Sequence, residues 1–222
     1  MIYQLPITNY QLPITKMSKS SSSSRWLQRQ KRDPYVKQAR QSHYRSRAVY
    51  KLMEIDDKDK LLHKGQTVID LGAAPGSWSQ YVAEKVSTTG KVIAVDILHM
   101  EPIDNVQFIE GDFTGQETFE KCLQGIEKQK ADLVISDMAP NLSGIKATDQ
   151  ARSLYLAELA MDLACRVLQP GGDLLVKVFQ GSDTNRFRLE LQEHFARILT
   201  RNPVASRKSS REYYLLARTF RC

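Results

Sequence analysis

A stretch of small residues after an apolar run is the first place in the sequence where chemistry is expected. Residues 68–80 read VIDLGAAPGSWSQ, so a predicted strand ends in a turn that opens a predicted helix. Gly72 and Gly76 let a ligand approach the backbone closely, and the free N–H groups at a helix start attract a carboxylate or phosphate. The turn fits neither the G-x-G-x-x-G dinucleotide pattern nor the Walker pattern, which needs a lysine. A plain tight turn between strand and helix is the alternative.

Two aspartates follow the next two predicted strands. Asp96 ends VIAVD, and Asp112 follows the strand in FIEGDF. An acid at the first position can accept hydrogen bonds from both hydroxyls of a ribose, and an acid at the second can accept one from an adenine amino group. Either aspartate alone could be a turn or cap residue. Three consecutive strand ends that face one crevice predict a cofactor that contains adenosine without a pyrophosphate, which disfavours NAD.

A lysine inside an apolar strand is the candidate proton acceptor. Lys177 lies within LLVKVF, where an unpaired lysine would be costly to bury; a strand lysine with its head group in solvent is the alternative. Asp137 ends the preceding apolar strand and could bond Lys177, or could be a turn residue. A lysine can act as a base if burial or a second cation favours its neutral form. Taken singly, Lys51 fits a solvated surface charge and Glu212 an edge residue.

Alternating apolar and amphipathic segments must position these residues. Strands are predicted at residues 67–71, 91–95, 106–109, 132–136 and 173–179. Helices are predicted at residues 77–86, 116–129, 151–168 and 184–195. Apolar strands separated by helices predict an α/β fold with a mostly parallel, doubly wound sheet that binds ligands at the carboxyl ends of its strands. The C-terminal REYYLLARTF predicts an antiparallel strand at or near an edge.

The N-terminal part divides into an extension and a helical region. YQLPIT occurs twice before Met17, and a Ser-rich run follows. We interpret residues 1–33 as a flexible extension, with Met17 as a hypothetical natural start that makes residues 1–16 dispensable, and residues 34–222 as one domain. From about Tyr35 the pattern is helical, and Ala48, Leu52 and Ile55 share the spacing of one helix face.

The charge and the cysteine content of the chain limit the kinds of partner that it can bind. The 32 Lys and Arg against 25 acids give a net charge of +7. Between Arg25 and Lys51 the only acid is Asp33, so this basic arm predicts contact with a phosphate backbone, or else a solvated tail. Three scattered cysteines and four histidines without metal-ligand spacing predict no metal site. With no apolar run near about 20 residues and no secretory signal, we expect no membrane partner and a cytoplasmic protein.

Several motifs together resemble one known family. DLGAAPGSWSQ, GDF, SDMAPNLSG, SRAVYKL, LLVKVFQG and SRKSSREYYLLA occur in the order found in the FtsJ (RrmJ/RlmE) family of ribosomal RNA 2′-O-methyltransferases, and the likeness spans nearly all of residues 24–217. The resemblance implies a Rossmann-like fold that binds S-adenosylmethionine (SAM). The cofactor contacts that we expect on this basis are Gly72, Pro75, Gly76, Trp78, Asp96, Asp112 and Asp137. Ser77 is a departure, because many relatives carry glycine there.

The resemblance also implies a catalytic set and a substrate. It places a Lys–Asp–Lys–Glu tetrad on Lys51, Asp137, Lys177 and Glu212. Lys177 would accept the proton, Asp137 would orient it, and the other two would hold the ribose and adjust the basicity of Lys177. The implied substrate is a uridine of 23S ribosomal RNA, in the A-loop of the 50S subunit.

The RNA entrance and the rival functions are further expectations. Arg47, Arg207, Lys208 and Arg211 would line the entrance with the basic arm, while Trp26 and Tyr35 would stack on bases or pack internally. The rival functions are a relative that acts on tRNA or an mRNA cap, and a non-catalytic RNA-binding ribosome-assembly factor. A DNA or small-molecule methyltransferase has no use for the lysine pair. We expect a monomer.

Overall fold

The computed structural model describes residues 33–126, 130–207 and 210–221. Almost all of the predicted N-terminal extension, including Met17 and Trp26, lies outside the described residues, and so does Lys208. The two segments that precede the sheet are helices α1, Pro34–Gln41, and α2, Val49–Asp59. Among the described residues, no helix combines the length and apolarity needed to cross a membrane.

Strands and helices then alternate along the chain. They are β1 Thr67–Leu71, α3 Ser77–Val86, β2 Lys91–Asp96, β3 Val106–Glu110, α4 Gln116–Gly125, β4 Ala131–Ser136, α5 Lys146–Val167, β5 Leu168–Phe179, α6 Thr184–His194, β6 Phe195–Arg201 and β7 Glu212–Phe220. The sheet order is β3-β2-β1-β4-β5-β7-β6. Strands β1 to β5 pair in parallel, and β7 is antiparallel to both of its neighbours. The predicted α/β fold is confirmed.

Helices cover both faces of the sheet, as a doubly wound fold requires. One apolar cluster joins the sheet to α4, α5 and α6, and a second joins the other face to α2 and α3. Leu52 and Ile55 of α2 are fully buried in the second cluster, which confirms the predicted apolar face of this helix. Helix α2 is therefore part of the main core and holds a fixed place against the sheet.

The C-terminal region differs from the prediction at the sheet edge. Strand β6, which reads FARILTR, was not predicted, and it forms the edge. The C-terminal strand β7 lies beside it and is antiparallel, as predicted for a strand at or near an edge. An edge strand is covered on fewer sides, so only Phe195 and Ile198 of β6 are buried and the apolar run that marks a central strand is absent. Helix α5 also begins earlier than predicted, at Lys146, because Asp149 accepts hydrogen bonds from Ser143 and Gly144 and orders the preceding loop.

Candidate active site

The glycine turn after β1 forms the floor of a cleft at the carboxyl edge of the sheet. Gly72 has φ +71°, and a Cβ there would lie 2.2 Å from Met138 Cγ. Gly76 has φ +102°, and a Cβ there would lie 2.7 Å from Ile103 Cδ1 and from Met100 Sδ. Both positions therefore need glycine for conformation, and Gly72 needs it for space as well. The cleft has a cavity volume of about 60 Å³ and is lined by Ser46, Ala48, Asp70, Gly72, Ala73, Ala74, Pro75, Ser77, Trp78 and Asp137.

Three of the expected cofactor residues, Gly76, Asp96 and Asp112, do not line this cleft. Gly76 shapes the turn. Asp96, at the end of β2, accepts hydrogen bonds from the backbone N–H groups of Ala74 at 2.9 Å and Leu98 at 2.8 Å. Asp112, exposed after β3, accepts from the backbone and the hydroxyl of Thr114. Each carboxylate keeps acceptor capacity, since an ionised carboxylate has about four acceptor sites.

Trp78 has a second role that its motif did not indicate. Its ring lines the cleft, but its indole N–H donates to the carbonyl of Ala48 at 2.8 Å. Ala48 directly precedes α2, which carries Lys51. The start of α3 is thereby joined to the start of α2, and the cofactor-side tryptophan also positions the helix of a predicted catalytic lysine.

The four side chains of the predicted tetrad meet at one place. Lys177 Nζ donates to Asp137 Oδ1 at 2.9 Å and also to the backbone carbonyl of Asp137. Lys51 Nζ lies 2.8 Å from Glu212 Oε1 and 3.5 Å from Asp137 Oδ1. Lys177 is 5% exposed and Lys51 is 9% exposed. The alternatives of a strand lysine with its head in solvent and a solvated surface lysine are therefore wrong.

Strand register explains why residues so distant in sequence converge. Ser136 of β4 pairs with Val176 of β5, so the next residue, Asp137, emerges beside Lys177. Across β5 and β7, Lys177 faces Tyr214 and Phe179 faces Glu212. Side chains two apart on a strand share a face, which places Glu212 on the same side as Lys177. Helix α2 lies on this face and supplies Lys51.

The charges in this cluster compensate one another. Burial alone would raise the pKa of Asp137, but the ammonium groups of Lys177 and Lys51 and the hydrogen bond from Tyr214 lower it below the ordinary aspartate range. Two ammonium groups thus face two carboxylates, Asp137 and Glu212. Buried charges are tolerated when they are paired and hydrogen-bonded in this way.

Two buried residues of the site were missed by the sequence reasoning. Tyr214 is fully buried and its hydroxyl donates to Asp137 Oδ1 at 2.5 Å; burial and then the charges of Asp137 and Glu212 raise its pKa well above the ordinary value. The two-residue alternation of EYY in a strand would have indicated Tyr214. Asp70, 1% exposed on β1, accepts from Ser79 Oγ at 2.6 Å, and burial raises its pKa to about 7.

Part of the predicted RNA entrance has a structural role. Arg47 bonds the carboxylate of Asp33 and the carbonyl of Ala205, and its guanidinium lies 5.3 Å from the centre of the Tyr35 ring. Tyr35 packs on Tyr50 with ring centroids 5.5 Å apart, which favours its internal packing role. Arg207 and Arg211 are exposed, as an RNA contact would require.

Comparisons with known proteins agree with the fold and the motifs. A family model described as FtsJ-like methyltransferase matches residues 44–220. A Pseudomonas paraeruginosa protein named "Ribosomal RNA large subunit methyltransferase E" is 53% identical over 205 residues, covering 92% of this chain and 99% of the relative. One of the same name from Alkalilimnicola ehrlichii is 54% identical over 198 residues, covering 89% and 95%. The crystal structure of a Plasmodium falciparum ribosomal RNA methyltransferase is 33% identical with a TM-score of 0.71, covering 80% of this chain and 98% of that one.

Proposed function

Because the chain belongs to the FtsJ-like methyltransferase family, we propose that it transfers a methyl group from SAM to a ribose 2′-hydroxyl of 23S ribosomal RNA. The observation that carries this proposal is the buried amine of Lys177, held by Asp137 Oδ1 at 2.9 Å beside the cleft. A sugar hydroxyl is a weak acid, and its reaction needs a base within hydrogen-bond reach and sheltered from water. The buried amine is sheltered from water, and its partner Asp137 lines the cleft in which the hydroxyl would bind.

The residues of the cleft fit SAM. Gly72 lines the cleft and leaves its backbone open to a ligand, while Gly76 shapes the turn. Asp70 and Asp137 offer carboxylates to a cationic group, and Asp96, which bonds the glycine turn at Ala74, is the residue that we propose for the ribose. When bound, SAM supplies a methyl group already activated on a sulfonium.

The protein then has three tasks: to orient the ribose, to accept its proton and to exclude water. Lys177 Nζ, in its neutral form, accepts the hydroxyl proton, and Asp137 keeps the amine aimed at the cleft through the bond to its Oδ1. Lys51, fixed by Glu212 at 2.8 Å, donates to an oxygen of the ribose. Helix α2 and strand β7 shield the amine from water. Holding the reacting groups in position supplies a large part of the rate.

The substrate part of the proposal rests on the relatives and on charge. The relatives that match almost all of their own length carry the name of large-subunit ribosomal RNA methyltransferases, which supports 23S RNA as the substrate. We place the target at a uridine of the A-loop within the 50S subunit. Arg211, which is exposed, directly precedes Glu212 at the start of β7, and exposed Arg207 lies earlier in the same loop, so a phosphate backbone could approach the tetrad from this side. A cytoplasmic monomer remains the expected form.

Methyl transfer from tritiated SAM tests the proposal. Purified protein is incubated in parallel with undermethylated 50S subunits, naked 23S RNA and tRNA, and the modified nucleoside is mapped after digestion. We expect incorporation into 50S subunits at one 2′-O-methyluridine of the A-loop. Incorporation into tRNA alone would support the alternative that the enzyme acts on tRNA. Incorporation into none of the three would support the alternative of a non-catalytic ribosome-assembly factor.

A further inference from the structure

Two aliphatic side chains are exposed on the loop that follows Asp137. Leu142 is 69% exposed and Ile145 is 63% exposed. The loop begins at Met138, directly after Asp137, and ends at Ile145, the residue before helix α5. Single exposed aliphatic residues are common on protein surfaces, so their exposure alone does not indicate a site. The support, the location and the charge of this loop do indicate one.

A buried carboxylate holds the loop in one conformation. Asp149, in the first turn of α5, is 8% exposed and accepts hydrogen bonds from the backbone N–H and the hydroxyl of Ser143 at 2.7 and 2.8 Å. It also accepts the N–H of Gly144 at 3.2 Å, and Ser143 Oγ accepts the N–H of Ile145 at 3.2 Å. The bonds from Ser143 hold the pKa of Asp149 below the ordinary aspartate range. The exposed aliphatic groups therefore extend from a fixed backbone, on which a ligand can dock with little ordering cost.

The loop forms part of a rim around the tetrad. At one end, Met138 packs against the glycine turn, since a Cβ on Gly72 would lie 2.2 Å from its Cγ. Beyond the other end, Gln150 Nε2 donates to the carbonyl of Gln180 at 2.5 Å, and the Gln180 N–H donates to the carbonyl of Arg211 at 2.9 Å. Arg211 directly precedes the tetrad glutamate. Hydrogen bonds thus connect the start of α5, the end of β5 and the start of β7 into one border of the site.

Charge and distance indicate what the aliphatic groups contact. Five extended residues span at most about 18 Å, so the exposed part of the loop lies close to any nucleotide whose ribose is bound at Asp137. Lys146 and Arg152, which follow the loop, are exposed. The only acid between Asp137 and Glu158 is Asp149, which is buried. Exposed cations attract phosphates, and an apolar surface takes up the face of an unstacked base.

We propose that Leu142 and Ile145 pack against an unpaired base of the RNA substrate, at or beside the nucleotide that is methylated. This inference rests on the proposed function, because it takes RNA as the substrate whose ribose enters the tetrad. A base within a duplex is stacked on both faces and offers neither face to a side chain. The two residues thus determine specificity for an unpaired target, and neither of them lines the cofactor cleft.

Steady-state methylation of undermethylated 50S subunits measures the contribution of these side chains. We expect Leu142→Ser and Ile145→Ser each to raise the KM for the subunits about fivefold, as the loss of one apolar contact implies. The affinity for the cofactor product S-adenosylhomocysteine is expected to change less than about twofold, because the loop lies outside the cleft. Leu142→Met keeps an apolar side chain of similar size and is expected to retain the original KM.

A matched control separates this effect from a general effect of surface changes. Leu189 on α6 is also 63% exposed, and Leu189→Ser is expected to leave the KM unchanged. An unchanged KM in both loop variants would overturn the proposal. A loss of S-adenosylhomocysteine affinity equal to the rise in KM would overturn it as well.

Photocrosslinking identifies what the loop contacts. The variant Leu142→p-benzoylphenylalanine is bound to the same subunits with S-adenosylhomocysteine and irradiated, and the crosslinked product is mapped. We expect a crosslink to RNA within about two nucleotides of the methylated uridine, and none there from the same substitution at Leu189. A crosslink to a ribosomal protein or to the protein's own N-terminal segment, or no crosslink, would overturn the proposal. Failure of the unaltered protein to methylate any RNA would instead overturn the proposed function.

Discussion

At the residue scale, Asp137 Oδ1 is the atom on which the site converges. It accepts hydrogen bonds from Lys177 at 2.9 Å and Tyr214 at 2.5 Å, and Lys51 lies at 3.5 Å. A carboxylate with three such donors is fixed in orientation and strongly favours its charged form. Tyr214 contributes rigidity without adding charge. We therefore expect it to be a positioning residue.

Tyr214→Phe is expected to slow methyl transfer without weakening the binding of the cofactor. Removing one hydrogen bond to a buried carboxylate frees Asp137 to move, and we expect kcat to fall about tenfold with the affinity for S-adenosylhomocysteine unchanged. Single-turnover rates and titrations provide the two values. Tyr213→Phe is the matched control, since Tyr213 packs against the cluster on the opposite face of β7. An unchanged kcat in Tyr214→Phe would show that the hydroxyl has no role in the reaction.

The raised pKa of Asp70 predicts that ligand binding depends on pH. Burial raises its pKa to about 7; the Ser79 hydrogen bond opposes this, and the charges of Asp137 and Asp96 add to it. The carboxyl is therefore mostly neutral below pH 7 and anionic above it, when it attracts the ammonium group of S-adenosylhomocysteine. We expect affinity to rise roughly three- to tenfold from pH 6 to pH 8.

The Asp70→Asn variant is the control for this titration. Its amide does not ionise, so its affinity is expected to stay level over the same range. The same rise in the variant as in the unaltered protein would assign the pH dependence to another group.

At the scale of elements, the position of α2 decides whether Lys51 reaches the site. Asp59 at its C-terminal end pairs with Arg201 of β6 through two hydrogen bonds of 2.6 and 2.5 Å. Glu54 accepts the backbone N–H groups of Val204 and Ala205, which follow β6. The unpredicted edge strand thus anchors the helix, which gives β6 a function in the site although it carries no tetrad residue.

Arg201→Ala is expected to loosen this anchor. The Arg201 and Asp59 side chains are 15% and 8% exposed, and breaking a largely buried pair leaves a carboxylate without its partner. We expect the free energy of unfolding in urea to fall by about 2–3 kcal/mol, and kcat to fall as Lys51 loses its fixed place. Arg186→Ala, which breaks an exposed ion pair with Glu158, should change stability by less than about 0.5 kcal/mol. Equal effects of the two substitutions would contradict the anchoring role.

At the scale of the whole molecule, most of the strands that could be predicted from the sequence are those that are buried along their whole length. Strands β1, β2, β4 and β5 were predictable because both faces of a central parallel strand are covered, which leaves an unbroken apolar run. Strand β3 lies at one edge of the sheet and was predicted from the apolar residues of VQFIE, whereas in FARILTR, the strand β6 at the other edge, only Phe195 and Ile198 are buried. Trp78 and the glycine turn carry a local pattern, whereas the contact from the Trp78 indole to Ala48 depends on how two helices pack.

The predicted tetrad shows the same division. Lys177 carried a local signal, a charge inside an apolar strand, but Lys51 and Glu212 carried none and were found only through the family resemblance. Tyr214 and Asp70 were not predicted as site residues, because the significance of a buried hydroxyl or carboxyl depends on its neighbours across the sheet. Register and helix docking bring these groups together, and neither is encoded within one segment.

Methyl transfer by the proposed mechanism depends most on Lys177 as the proton acceptor. Single-turnover transfer of tritiated methyl to undermethylated 50S subunits by Lys177→Ala, with S-adenosylhomocysteine affinity measured on the same preparation, tests it directly. Lys121→Ala, on the exposed side of α4, is the matched control. We predict a loss of transfer of at least about a hundredfold, as removal of a general base implies, with cofactor affinity kept within several-fold. Substantial residual transfer by Lys177→Ala would contradict the account.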